Sequence, residues 1–313
     1  MRIFLAGGTG VVGRPLVPRL VEEGHLVTAI TRRPERISRL QAQGADAVVC
    51  DVLDARRLTE IVRAAAPDVV IQHLTDLPPD LNPRNLKKAY ERNDKVRGEG
   101  SRNLVDAAEA AGAGRFIAQN VCFLYAPVTS PGVVDENAPL WTDAREPFGA
   151  TIRLHAEMER RITENPKFDG LVLRFGFWYG PGTSFAPDGY TAEQVRRRRY
   201  PIVGRGTGMQ SFVHMDDVVE TTVLALERGD PGVYNVSDDD PAPMHQWLAA
   251  YAAALGAPEP RRVPAWLARL VVGPFITGQS LHMPGASNEK AKRGLEWKPK
   301  YASWREGFRV ALG

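Results

Sequence analysis

Ile3-Phe4-Leu5-Ala6-Gly7-Gly8-Thr9-Gly10-Val11-Val12-Gly13 is the stretch that decides the fold. Four apolar residues in a row read as a short buried strand. The glycines then turn the chain into an amphipathic stretch from Pro15 to Glu23, and Gly24 closes that helix. His25–Ile30 supplies a second strand, so a βαβ unit is complete within about 30 residues. Glycines at 7, 10 and 13 let backbone approach a pyrophosphate, and the following helix offers N–H groups and the positive end of its dipole. A tight strand-to-helix turn alone would also want glycine; the strand before it and the helix after it favour a dinucleotide. Gly7, Thr9, Gly10, Val11, Val12 and Gly13 are the expected contacts.

The alternation continues through a helix over Pro34–Gln43, a strand over Ala47–Cys50, a helix over Ala55–Ala65 and a strand over Asp68–His73. A long helix over Leu86–Ala111 and a strand over Arg115–Asn120 follow. Strands alternating with helices predict an α/β fold of the Rossmann type, a doubly wound parallel sheet covered on both faces. Beyond residue 175 the segment Gly176–Gly189 is rich in aromatics, Gly and Pro, and the remainder is mostly helical. We expect a nucleotide-binding domain of residues 1–172 plus 212–236, interleaved with a smaller substrate lobe of 173–211 plus 237–313.

The 313 residues carry 40 basic and 37 acidic side chains, a net charge of +3, which gives no global electrostatic case for nucleic acid. The basic run Arg196-Arg197-Arg198-Arg199 reads as a solvated helix end or a contact for phosphate or carboxylate. Cys50 and Cys122 are the only cysteines, which excludes a disulfide scaffold and a thiolate zinc site; no metal is expected. No apolar run approaches the roughly 20 residues of a membrane span, and the apolar start is too short for a signal peptide. A cytoplasmic location is the expectation.

The end of the second strand bears on the choice of dinucleotide. An NAD site usually places an acid there for the ribose 2′-hydroxyl. This chain has Thr31-Arg32-Arg33 and no acid before Glu35. Guanidinium groups suit a 2′-phosphate, so NADP(H) is favoured over NAD(H), with an exposed basic loop as the alternative.

Several stretches, in order, resemble the extended short-chain dehydrogenase/reductase superfamily in its NAD-dependent epimerase/dehydratase branch. The glycine loop has that superfamily's spacing. Cys50-Asp51-Val52-Leu53-Asp54 resembles its adenine-contacting motif, Asn93 through Ala108 its central helix, and Arg174 through Gly182 its Arg-x-x-x-x-Tyr-Gly-Pro-Gly segment. Ser211–Val218, Gly232–Val236 and Lys290–Pro299 are similar to its later signatures. The resemblance implies cofactor contacts at Asp51, Val52, His73, Leu74, Asn120 and Phe175. It also implies a catalytic Tyr-x-x-x-Lys pair with an upstream Ser or Thr, and there this chain departs from the pattern. Phe148 stands at the tyrosine position, Ile152 at the lysine position and Val121 at the Ser/Thr position.

Four side chains are candidates to replace the missing acid. His155 follows Ile152 by three residues on one helix face and is otherwise a surface or partner-contact histidine. Tyr125 and Tyr179 lie on segments implied to line the pocket and otherwise pack as aromatics. Asn120 offers a hydrogen bond to a carbonyl or satisfies the strand end. The implied substrate pocket comprises Val121, Cys122, Phe148, Ile152, Phe177, Trp178 and Tyr179, which predicts an apolar or aromatic small molecule.

The expectation is therefore an NADP(H)-dependent oxidoreductase, a reductase of a carbonyl or conjugated double bond with a non-standard proton donor. The alternatives are a non-redox isomerase, cyclase or dehydratase, and a silent NADP(H)-sensing protein. The resemblance also implies a homodimer through the helices Leu86–Ala111 and Phe148–Ile162.

Overall fold

A computed structural model describes residues 1–78 and 86–312. Its centre is a seven-stranded parallel sheet: β1 (Arg2–Ala6), β2 (Leu26–Thr31), β3 (Asp46–Val49), β4 (Val69–Gln72), β5 (Arg115–Val121), β6 (Asp169–Phe175) and β7 (Gly232–Val236). The spatial order β7-β6-β5-β4-β1-β2-β3 reverses direction at β1, whose two neighbours are β2 and β4. That reversal opens the crevice in which doubly wound sheets bind ligands, at the carboxyl ends of the strands.

The helices are α1 (Gly13–Glu22), α2 (Ile37–Ala42), α3 (Ala55–Ala65), α4 (Leu86–Lys95), α5 (Ser101–Ala111), α6 (Phe148–Thr163), α7 (Tyr190–Arg196), α8 (Met215–Leu224), α9 (Met244–Ala254), α10 (Ala265–Val271), α11 (Gly273–His282), α12 (Glu289–Gly294) and α13 (Trp304–Leu312). One face of the sheet buries Leu16, Val17 and Leu20 of α1 with Val218 of α8. The other buries Leu58 and Val62 of α3, Leu104 and Ala108 of α5, and Met158 and Ile162 of α6. Strands covered on both sides become continuous apolar runs, as in the fully buried Val69–Ile71.

Two differences from the expected organisation have clear causes. The long helix is interrupted by a π turn at Val96–Gly100, an insertion of one residue into a turn that leaves the apolar periodicity on either side intact. The division of the chain also shifts. A boundary after residue 172 would cut through β6, and Ala291, Leu295 and Trp297 pack into the sheet core beside Tyr234 of β7. The tail assigned to the lobe thus returns to the sheet before α13 leaves it. The lobe's own core gathers Tyr179, Phe185, Phe212, Trp247, Tyr251, Trp304 and Phe308.

Candidate active site

The loop after β1 is built for close backbone approach. Gly7 has φ of +106°, and a Cβ there would lie 2.4 Å from the His73 carbonyl oxygen. A Cβ on Gly13 would lie 2.4 Å from the Gly7 oxygen. Gly10 N–H donates to that same oxygen at 2.9 Å. Side chains would fill the cradle, so its glycines fit a dinucleotide pyrophosphate at the N-terminus of α1. Val11 is exposed at the loop tip, whereas the Val12 side chain is buried in the core and leaves only backbone to the loop. His73 lies beneath, with Nδ1 3.1 Å from Gln119 Oε1 and Nε2 3.4 Å from Thr222 Oγ1. Burial lowers its pKa to about 4, so at neutral pH it is an uncharged strut. Leu74 is half-buried just beyond it.

The basic loop after β2 is arranged differently from the sequence expectation. Arg32 is taken by Asp76, 2.5 Å from its guanidinium and 44 residues away. Arg33 is exposed with no side-chain partner among the described residues. Arg36, which the sequence reading passed over, donates to Thr9 Oγ1 at 3.3 Å across the glycine loop. Partial burial lowers the Arg36 pKa, and Arg33, Arg14 and Arg39 lower it further. Arg36 and the arginines whose charge bears on it would gain from a dianion. Asp51 is exposed and accepts from Leu53 N–H at 3.0 Å; the buried Val52 holds its carbonyl 2.8 Å from Asn103 Nδ2.

Behind the crevice, three strands place Asn120, Arg174 and Asn235 side by side in register. Glu159 of α6 sits over them. Its Oε1 accepts from Asn120 Nδ2 and from Arg174 Nε, both at 2.6 Å, and its Oε2 pairs with Arg174 Nη2 at 2.5 Å. Burial works to lower the Arg174 pKa, but the Glu159 carboxylate outweighs it and raises the value overall. Phe148, Ile152, His155 and Glu159 follow one another at four-, three- and four-residue spacing, a single helix face that turns from apolar to polar along its length.

All four candidate proton donors are interior, with exposures of 5% for His155, 2% for Tyr125 and 0% for Asn120 and Tyr179. Tyr179 packs among aromatics and Asn120 and Tyr125 are held within the interior network, in line with the alternatives read for them, whereas the buried His155 is not a surface histidine. Asn120 spends both ends of its amide, on Glu159 and on His155 Nδ1 at 2.6 Å. Because the Asn120 oxygen accepts, His155 donates through Nδ1, and its Nε2 is buried without a partner among the described residues. Burial first, and then Arg97, holds its pKa well below the ordinary value. The Tyr125 hydroxyl accepts from Arg174 and donates to Asn235, each at 2.8 Å. Tyr179 is wedged between Phe212, His214 and Phe308, with its hydroxyl against Gly307 of α13.

The expected pocket residues separate as well. Phe175 is fully buried in the sheet core beside His73, too deep for a side-chain contact with cofactor. Cys122 packs with Tyr125 and Ala286, and burial pushes its thiol pKa up to about 12. Trp178 packs against the sheet core and Phe175. Val121, Phe148 and Ile152 do converge, joined by Phe123, Trp141 and Phe275, none of which the sequence marked. Phe148 stacks on Phe275 at 4.1 Å, Trp141 on Phe275 at 5.1 Å, and Phe177 reaches the group by stacking on Phe123 at 4.4 Å. Val121, Phe123, Trp141 and Phe148 remain half-buried, so the box has an open side. Tyr90 of α4, edge-on to Phe148 at 5.5 Å, brings the one phenol in ring contact with Phe148 among the described residues; burial raises its pKa. An aromatic box at the carboxyl end of β5 can hold a flat apolar molecule and exclude water around it.

Comparisons with known proteins agree with this architecture. The model of the NAD dependent epimerase/dehydratase family matches residues 3–237. A 3-diazoavenalumate denitrifying reductase from a Streptomyces species is 44% identical over 310 residues, covering 98% of this chain and 99% of that protein. A 2-alkyl-3-oxoalkanoate reductase from Stenotrophomonas maltophilia is 27% identical, covering 82% of this chain and 77% of its own. Among solved structures, a UDP-glucose 4-epimerase from Thermotoga maritima superposes with a TM-score of 0.77 at 22% identity, covering 100% of this chain and 97% of the other.

Proposed function

The chain belongs to the NAD dependent epimerase/dehydratase family, and from that membership we propose that it is an NADPH-dependent reductase whose electrophile needs no proton from the protein, an aromatic diazo compound being the class that fits best. Its relatives make it an oxidoreductase of the reductase/epimerase type. One observation carries the finer reading: Val121, Phe148 and Ile152, at the positions where the resemblance implies a Ser/Thr, a Tyr and a Lys, form an apolar box with aromatic walls.

A bound reduced nicotinamide supplies hydride. When an aryl diazonium carbon accepts it, a C–H bond forms, the C–N pair leaves with N2, and the balance closes without a proton. Reduction of a ketone, by contrast, leaves an alkoxide that must be protonated. The chain's contribution is then to position the ring and keep it dry. The half-buried Phe148 and Trp141, backed by the buried Phe275, offer aromatic surface to a ring, and the box excludes water that would compete for the same carbon. The reductase named for a diazo substrate, at 44% identity, supports this choice.

The rival is carbonyl reduction with Tyr90 as acid, which its contact with Phe148 brings into consideration. Tyr90→Phe separates the two in steady-state kinetics. Diazonium reduction should keep kcat within about twofold of wild type, whereas loss of an acid catalyst would cost about 100-fold or more.

The cofactor preference rests on Arg36, which donates to Thr9, and on Arg33, whose charge bears on Arg36. In a binding titration, Arg36→Glu should weaken NADPH by about tenfold or more, as expected for loss of one charge-assisted contact. NADH affinity should change by less than about threefold. Equal losses for both nucleotides would remove the 2′-phosphate from the account.

A further inference from the structure

A cavity lies away from the glycine loop, at the C-terminal end of α11. It encloses about 530 Å³ and is lined by Val128, Thr207, Leu281, Arg205 and His282 among others. None of its lining residues is acidic. Arg205 is exposed, and no ion pair or hydrogen bond of its side chain occurs among the described residues. The walls are held firmly. Thr207 Oγ1 donates to Leu281 O at 2.7 Å, Val128 N to His282 O at 2.9 Å and Gly208 N to Ser280 O at 2.9 Å. These bonds occupy carbonyls at the α11 terminus that would otherwise turn the negative end of a helix dipole toward the cavity.

Two segments join this cavity to the aromatic box. On α11, Phe275, Gln279 and His282 follow at four- and three-residue spacing and share one face. Phe275 belongs to the box, Gln279 Nε2 donates to the Phe123 carbonyl at 2.9 Å, and His282 lines the cavity. The segment from Phe123 to Val128 runs beside it, from box wall to cavity wall. Phe275 and His282 are seven residues apart, about 10 Å along a helix rising 1.5 Å per residue.

We propose that the cavity is the acid-end subsite for an elongated aryl acid, with the reacting ring in the Phe148–Phe275 box and the carboxylate meeting Arg205. The inference rests on the reading of the box as the place where the ring reacts. A guanidinium at the mouth of a mostly apolar cavity recognises a carboxylate by charge and fork geometry. An apolar tail between ring and acid suits the Val128, Ala265 and Leu281 wall.

The test is calorimetric binding of 4-hydroxycinnamate, its one-vinyl-longer homologue and the methyl ester of each, to wild type, Arg205→Ala and Arg205→Lys. Wild type should bind each acid more tightly than its ester, and the longer acid more tightly than the shorter. Arg205→Ala should weaken the acids by about tenfold while leaving the esters within twofold, and Arg205→Lys should recover most of the loss. Because Arg205 holds up no other group, the variant keeps the fold. Acid and ester binding alike, neither binding, or both weakening equally in Arg205→Ala would each overturn the subsite. The diazo reading stands or falls separately: an acid-selective site in a protein that does not reduce a diazonium leaves the subsite and removes that reaction. Reduction of diazonium acids and esters with equal KM does the reverse.

Discussion

Glu159→Ala is expected to lower folding stability by about 3–5 kcal/mol, because it removes one partner of a buried ion pair and leaves the other uncompensated. Arg174 keeps a side chain only 6% exposed and loses contacts at 2.6 and 2.5 Å, while Asn120 Nδ2 loses its acceptor. Whole domains are stable by only about 5–15 kcal/mol, so the variant would unfold at far lower urea. The double substitution Glu159→Met, Arg174→Met should recover much of that loss, since an apolar pair of similar volume carries no desolvation cost. Urea unfolding of the three proteins checks both statements. A loss below about 1 kcal/mol in the single variant would mean that water already reaches the pair.

Gly13→Ala should abolish dinucleotide binding, with an affinity loss of about 100-fold or more. The added Cβ would stand 2.4 Å from the Gly7 oxygen and 2.4 Å from the Gly8 carbonyl carbon. Both are backbone atoms, so no side-chain rotamer relieves the clash and the loop itself must open. The readout is energy transfer from tryptophan to bound NADPH, with far-UV circular dichroism to show that the sheet persists. Binding within threefold of wild type would mean that the cradle relaxes cheaply and does not hold the pyrophosphate.

How much of this was legible in the sequence follows from the range of the interactions. The glycine loop and the alternating strands are local patterns, and the parallel order around β1 follows from them. The grouping of Phe148, Ile152 and Val121 came from the family resemblance, which implies that these three positions share one pocket. Their partner Phe275 lies more than a hundred residues further on, and no periodicity links it to Phe148. The same limit hides the partners of the candidate proton donors. Tyr125 meets Asn235 across 110 residues and His155 meets Asn120 across 35, so each looked available until its partner was known. Arg32 pairs with Asp76, 44 residues further on in the loop after β4, a contact that no local pattern shows. Arg36 was within reach of the sequence reading: it is the next arginine after Arg33, at the end of the short helical turn that brings it back over Thr9.

The central claim is that this fold transfers hydride to a carbon without help from a protein acid. Its most direct test is single-turnover reaction of the protein with 3-diazo-4-hydroxycinnamate and NADPH deuterated at C4 of the nicotinamide, run in ordinary water. The account predicts one N2 released per NADPH consumed and deuterium at the ring carbon that lost it. Release of N2 with only protium at that carbon, or NADPH binding with no turnover of any diazo compound, would contradict it.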